Sequence, residues 1–211
     1  MNAQTERLAL SGPAGRIEAL RDGPAAGVSP RGVAIIAHPH PLFGGTMDNK
    51  VVQTLARAFV QCGWQAVRFN FRGVGATEGV HDEGRGETAD FLAVAQQCAP
   101  HGPLALAGFS FGSYVMSQAL ASLWPAHQIE KLVFVGAAAS RFQLAAVPQE
   151  LHERALVVHG EHDDTVPLAA VMDWARPQVL PVTVVPGGSH FFHGQLPLLK
   201  GLVVRHLTGT V

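Results

Sequence analysis

The stretch Leu104 to Met116, LALAGFSFGSYVM, leaves few choices for the rest of the chain. An apolar run suited to a buried strand turns through Gly108-Phe109-Ser110-Phe111-Gly112 and continues with helical spacing. G-x-S-x-G between a strand and a helix puts the serine at the tip of a tight, strained turn, its hydroxyl lifted off the strand end. Gly108 and Gly112 carry no Cβ, so strand and helix can approach closely. The helix N-terminus behind Ser110 offers unpaired N–H groups and a partial positive charge. In a chain with 23 glycines the same pattern also arises as a plain small-residue turn. It reads as chemistry only if an acid and a histidine follow where they can meet the serine.

The flanking sequence supplies a frame for that meeting. Residues 5–11 and 15–21 alternate, with Leu8, Leu10, Ile17 and Ala19 on one face, and read as an antiparallel hairpin with one wet side. Val33 to Ala37 is apolar on both faces, as a buried parallel strand requires. It runs into HPHPLFGG, where Pro39 and Pro41 exclude a helix. Asp48-Asn49 opens a helix with Val51, Leu55, Ala58 and Phe59 on one side, ended by Gly63. Gln65 to Phe71 reads as a strand and Arg72 to Gly79 as a glycine-rich loop running on through Glu83. A helix is predicted from about Glu87 to Cys98, a strand over Leu104–Phe109 and a helix over Phe111–Trp124. Further strands are predicted at Leu132–Val135, Ala155–Val158 and Val182–Val185. Helices are predicted from Pro167 to Arg176 and from Phe192 to Leu207, the last starting in earnest near Pro197. Strand–helix alternation after a hairpin specifies an α/β fold, a mainly parallel sheet with helices on both faces.

At 211 residues the chain fits a single domain, 1–211, with a real core. Hydrophobic residues make up 47% and charged ones 15%, which excludes a disordered chain. A net charge of −1 gives no reason to expect nucleic acid or an anionic membrane as partner. The N-terminal residues lack a basic segment followed by a long apolar run, and the expected location is cytoplasmic. Cys62 and Cys98 have neither metal-type spacing nor a redox partner and are expected as buried free thiols.

Two later loops supply what Ser110 needs. His159-Gly160-Glu161-His162-Asp163-Asp164 follows the penultimate strand, and Pro186-Gly187-Gly188-Ser189-His190 follows the last. A serine, an acid and a histidine thus follow three parallel strands, whose carboxyl ends converge on one edge of the sheet. Nucleophile, base and orienting carboxylate could assemble there. His38, His40, His159, Glu161 and His162 invite a metal reading. No H-E-x-x-H sits on a helix, however, and hydrogen bonding at strand ends is the simpler role, so no metal or cofactor is expected. Arg72 with Gly73-Val74-Gly75 matches neither phosphate-binding fingerprint, and the stretch is expected to be a structural loop with Arg72 bonding carbonyls.

Five motifs, HPHPLFGGTMDN, FNFRGVGATEG, GFSFG, HGEHDDTVP and GGSHFF, in this order on these elements, resemble the α/β-hydrolases, specifically their small, lid-poor bacterial branch. The resemblance runs from about Val33 to the C-terminal helix. Its G-x-x-D-x-x-V-P pattern implies Asp163 as the acid, with Asp164 the adjacent competitor, and His190 as the base, with His193 its nearest rival. It implies a Ser110–His190–Asp163 triad and an acyl-enzyme. The implied oxyanion hole takes the Phe111 N–H and a second N–H after Ala37, from either His40 or Leu42.

Ala137 to Arg154 is too short for a substantial cap, so an open site is expected, walled by some of Phe43, Phe109, Phe111, Phe142, Phe191 and Phe192. Such a site suits a small-molecule ester or thioester. The expected activity is a carboxylesterase-like serine hydrolase. A thioesterase or peptidase on the same triad is the alternative, and a weakly active small-molecule-binding protein of this fold a further one. A homodimer through the edge hairpin or final helix is compatible with the sequence.

Overall fold

Strands buried on both faces need apolar cover above and below, and that requirement organises the layers. The structure, a computed structural model, describes residues 5–25 and 27–209. In chain order the elements are β1 (Thr5–Gly12), β2 (Gly15–Asp22), β3 (Val33–Ala37), α1 (Lys50–Gln61), β4 (Gln65–Phe69) and α2 (Arg85–Cys98). There follow β5 (Pro103–Phe109), α3 (Phe111–Leu123), β6 (Gln128–Val135), β7 (Ala155–Gly160), α4 (Leu168–Ala175), β8 (Val182–Val185) and α5 (Leu196–Thr208). The sheet order is β1-β2-β4-β3-β5-β6-β7-β8. β2 pairs antiparallel with β1 and β4, and every other pairing is parallel.

Alternation splits each central strand between two cores. Ile35, Leu104, Leu106, Leu132, Phe134 and Val157 face one core with α2, α3 and α4. Ala34, Ile36, Ala105, Ala107, Val133, Val135 and Val158 face the other with α1 and α5. Each fully buried Leu, Ile, Val or Phe contributes about 1.5–3 kcal/mol. An exposed ion pair such as Arg176–Asp173 contributes at most about 1 kcal/mol, so the layers hold the fold.

Some expected boundaries move for identifiable reasons. The strand predicted over Gln65–Phe71 stops at Phe69. The Asn70 N–H turns to the Glu18 carbonyl, and the Phe71 N–H donates to the His38 ring. β6 begins at Gln128, four residues earlier than its apolar run, because Gln128 and Ile129 already pair with Pro103 and Leu104. HPHPLFGG does contain a helical turn. Pro41–Phe43 is one turn of 3₁₀ helix, with Pro41 at its first position, where its missing N–H costs nothing. Among the described residues Arg72 bonds no carbonyl. Its guanidinium grips Asp90 with two contacts of 2.8 Å, locking the loop after β4 to α2. Cys62 and Cys98 are free and half-buried. Among the described residues no helix is long and apolar enough to cross a membrane.

The in-register strand ends set the site. Ala37 lies opposite Gly108, Phe109 opposite Val135, and Gly160 opposite Val185. The loops after β3, β5, β6, β7 and β8 therefore open on one rim.

Candidate active site

Ser110 has φ 56° and ψ −117°, a conformation that non-glycine residues rarely adopt. Its backbone is held from three sides: its N–H donates to the Val135 carbonyl at 2.9 Å, and its carbonyl accepts from Ser113 at 3.0 Å and Ala138 at 3.4 Å. The glycines at both sides of the turn are required by contact. A Cβ on Gly108 would lie 2.5 Å from the Gly112 carbonyl, and one on Gly112 would lie 2.4 Å from the Ala37 oxygen.

Gly112→Ala measures that constraint. Alanine gains about 1 kcal/mol in helix propensity, but the methyl group meets backbone, which cannot rotate away. Overpacking of this kind costs about 1–3 kcal/mol and the steric term should win. A lowered urea midpoint with unchanged slope is expected; a raised midpoint would mean that the elbow yields freely.

The structure brings Ser110, Asp163 and His190 together. His190 Nε2 lies 3.0 Å from Ser110 Oγ, and His190 Nδ1 lies 2.7 Å from Asp163 Oδ2. All three are buried. The other carboxylate oxygen, Oδ1, accepts from the N–H groups of Thr165 at 3.0 Å and Val166 at 2.7 Å. Burial pushes the Asp163 carboxyl up, but the hydrogen bonds from His190 and Val166 outweigh it and hold the group below its ordinary range. Gly160 lets the acid loop and the histidine loop touch, since a Cβ there would lie 2.4 Å from the Gly188 oxygen. The Phe109 ring packs on the imidazole with centroids 4.9 Å apart. Asp164 is exposed and, among the described residues, accepts only from the Thr165 hydroxyl, at 3.3 Å. His193 is exposed, its ring against Phe191.

The histidines of the metal reading have other partners. His38 Nδ1–H donates to the Pro39 carbonyl at 2.6 Å, and Nε2 accepts the Phe71 N–H at 2.9 Å. Acceptance at Nε2 needs a neutral ring, and burial lowers its pKa to about 4. This pins the loop after β3 to the loop after β4. His159 is buried, donates Nε2–H to the Val166 carbonyl at 2.9 Å and lies 3.5 Å from Asp163, so it braces the acid loop. Among the described residues no group of three metal-type donors forms.

A cavity of about 320 Å³ opens over Ser110 and His190, walled by Pro39, His40, Phe43, Phe111, Phe142 and Phe191 among others. Phe109 and Phe192 are core instead. His40 lines the cavity; Leu42 does not, being 69% exposed, and its N–H turns to His40 Nδ1 at 3.3 Å. The segment 136–154 carries one 3₁₀ turn, Gln149–Arg154, and no covering helix. A larger cleft of about 530 Å³, lined by Asp22, Asp48, Arg57, Arg68 and Lys200, includes none of these groups, and its buried Arg68 is already paired with Asp22 at 3.0 Å.

Sequence reasoning missed two features beside this cavity. Arg141 lines it from an irregular loop that has no periodicity to read. Glu87, fully buried, accepts from the Gly84 and Asp82 N–H groups and lies 2.9 Å from His81, whose ring packs on His40. The position of Glu87 at the third residue of α2 was the available signal, since a carboxylate there reaches back over a helix start.

A parallel sheet with a serine elbow, an acid loop and a histidine loop on one rim, and no lid, is the architecture of an α/β serine hydrolase. The sequence pattern described as alpha/beta hydrolase fold matches residues 42–153. The lid-less α/β serine hydrolase XC6422 of Xanthomonas campestris is 35% identical, covering 100% of this chain and 99% of its own, with a TM-score of 0.85. An α/β serine hydrolase homologue from Coxiella burnetii is 37% identical over 99% of this chain and 100% of its own, with a TM-score of 0.83. The uncharacterized protein RP471 of Rickettsia prowazekii is 40% identical over 114 residues, a match that spans 52% of this chain and 47% of that protein, about half the length of this relative. The chain belongs to the α/β-hydrolase family.

Proposed function

We propose that the protein hydrolyses small acyl esters through an acyl-enzyme on Ser110. The observation that carries this reading is the unbroken line from Ser110 Oγ through His190 to Asp163, at 3.0 and 2.7 Å, under a small open cavity. His190 Nε2 takes the serine proton as Oγ attacks the carbonyl carbon, and Asp163 holds the proton of Nδ1 and stabilises the imidazolium. The oxyanion lies between the Phe111 N–H at the start of α3 and, in this reading, the His40 N–H rather than that of Leu42. Among the described residues neither the Phe111 nor the His40 N–H has an acceptor. The imidazolium gives its proton to the leaving alkoxide. Water, deprotonated by the same imidazole, then cleaves the acyl-enzyme, and the imidazolium returns that proton to Ser110 Oγ as the acid leaves. A thioester fits the same steps with a thiolate leaving group.

A cavity of about 320 Å³ is at the small end of ligand sites, about 300–1,000 Å³. The test is a p-nitrophenyl ester series from acetate to dodecanoate, with fluorophosphonate labelling alongside. Short esters should be turned over, with kcat/KM falling beyond about the hexanoate, and Ser110 should carry the label. A folded protein that neither turns over any member nor labels would overturn the reading and favour a binding role.

A further inference from the structure

The walls of the cavity over Ser110 are aromatic and aliphatic apart from a few polar groups, and among its lining residues Arg141 is the single arginine, with no lysine, aspartate or glutamate beside it. An exposed arginine is ordinarily a solvated surface group. Three observations together place this one at the site with its charge free. Its loop hangs on the elbow: the Ala138 N–H donates to the Ser110 carbonyl at 3.4 Å, and the Arg141 N–H donates to the Ala138 carbonyl at 3.1 Å. Its guanidinium lies over the Phe43 ring, 5.8 Å from the centroid, so the aromatic face orients it instead of an acid. Among the described residues no carboxylate forms an ion pair with it; Arg16, Arg31, Arg57, Arg154 and Arg205 are unpaired as well, but none of them lines this cavity. Its charge reaches into the site, because burial first, then His81 and Arg141, hold the His40 imidazole below its ordinary range. The permanent positive charge of the wall belongs to Arg141.

We propose that Arg141 is a specificity-determining residue that receives an anionic group, a carboxylate or a phosphate, carried by the substrate ester. The inference rests on the ester-hydrolase reading of Ser110 and narrows its substrate class. The guanidinium fork matches both anions with paired N–H donors. The reacting carbonyl of the ester sits at Ser110, its acyl or its alcohol portion extends along the Phe43 and Phe142 wall, and the charged end of that portion meets Arg141 at the mouth. A neutral ester uses the apolar wall alone.

Two ester pairs of similar size locate the anion. p-Nitrophenyl hemisuccinate against p-nitrophenyl butyrate places it on the acyl side, and 4-acetoxybenzoate against phenyl acetate places it on the leaving side. The readout is the ratio of kcat/KM within each pair, for wild type, Arg141→Gln and Arg141→Lys, at low and raised salt. One pair should favour the anionic member in wild type. Arg141→Gln should lower that ratio about tenfold or more, chiefly through KM, Arg141→Lys should restore part of it, and salt should erode it in wild type only. Inhibition by free succinate or by inorganic phosphate, lost in Arg141→Gln, tells carboxylate from phosphate recognition. Fluorophosphonate labelling of Ser110 at the wild-type rate verifies that each variant is folded. A ratio that Arg141→Gln leaves unmoved in both pairs, while the neutral esters are hydrolysed and Ser110 labels, overturns this inference and leaves the hydrolase standing. Absence of both labelling and turnover in the folded wild type removes both.

Discussion

Ser110→Ala should lower kcat for short esters by about 10⁶-fold. The substitution deletes the attacking oxygen, and no side chain among those lining the cavity offers a replacement next to His190. What survives comes from the two backbone donors and from binding, which together leave catalysis about 10³–10⁴-fold above water in enzymes that have lost a triad member. Folding should barely change. Among the described residues Ser110 Oγ has one hydrogen-bond partner, His190, so the net loss is about 0.5–1.5 kcal/mol. The positive φ is as unfavourable for alanine as for serine, and the contacts from Val135, Ser113 and Ala138 that enforce it run through backbone atoms. The expected pair of results is a folded protein with a near-normal urea midpoint and no fluorophosphonate label. Retention of more than about 1% of the rate would mean that the turnover does not pass through Ser110.

The reading of the fold from sequence worked best where one cause controls the pattern. Val33–Ala37 and Leu104–Phe109 are apolar on both faces because both faces are covered, and they are central strands. The run of strand, turn, strand, turn also marked which loops must share a rim, since parallel strands all end on the same side. Legibility failed where the determinant is a partner distant in sequence. Nothing in QIEKLVFV announces that its polar first half is already paired with β5, because Glu130 and Lys131 break the alternation. Arg72 reads as a loop residue, since Asp90 lies eighteen positions on and inside a helix. Between His40 and Leu42 the choice turns on how Pro39 and Pro41 steer one 3₁₀ turn, a matter of angles that residue types do not encode. Arg141 had no signal at all, because an irregular loop has no period against which a functional residue stands out.

Asp163 carries the second large effect, and its neighbours dictate how it should be probed. In Asp163→Asn the position of Oδ1 still faces the N–H groups of Thr165 and Val166, so the amide oxygen must stay there. The amide NH₂ then takes the place of Oδ2 and points at His190 Nδ1. Nδ1 becomes an acceptor, Nε2 carries the hydrogen, and the imidazole offers Ser110 a donor where a base is required. A fall in kcat of about 10⁴-fold at pH 7 is expected, with geometry and Ser110 retained. Asp163→Ala should cost a similar factor in rate, but it also leaves the Thr165 and Val166 N–H groups unpaired, at about 1–3 kcal/mol if they stay buried. The pH dependence separates these effects. Because the native carboxyl is held below its ordinary range, it stays ionised throughout pH 5–8 and contributes no acid limb to kcat/KM in that window. The same depression makes Asp163 stabilising above the unfolded carboxyl value of about 3.9. That contribution is lost as the pH falls through the lower folded value. Wild type should therefore lose its stability margin over Asp163→Asn as the pH drops below about 4. A margin constant down to pH 2, or an Asn variant with near-normal turnover at pH 7, would show that the carboxylate neither orients His190 nor stays ionised beside it.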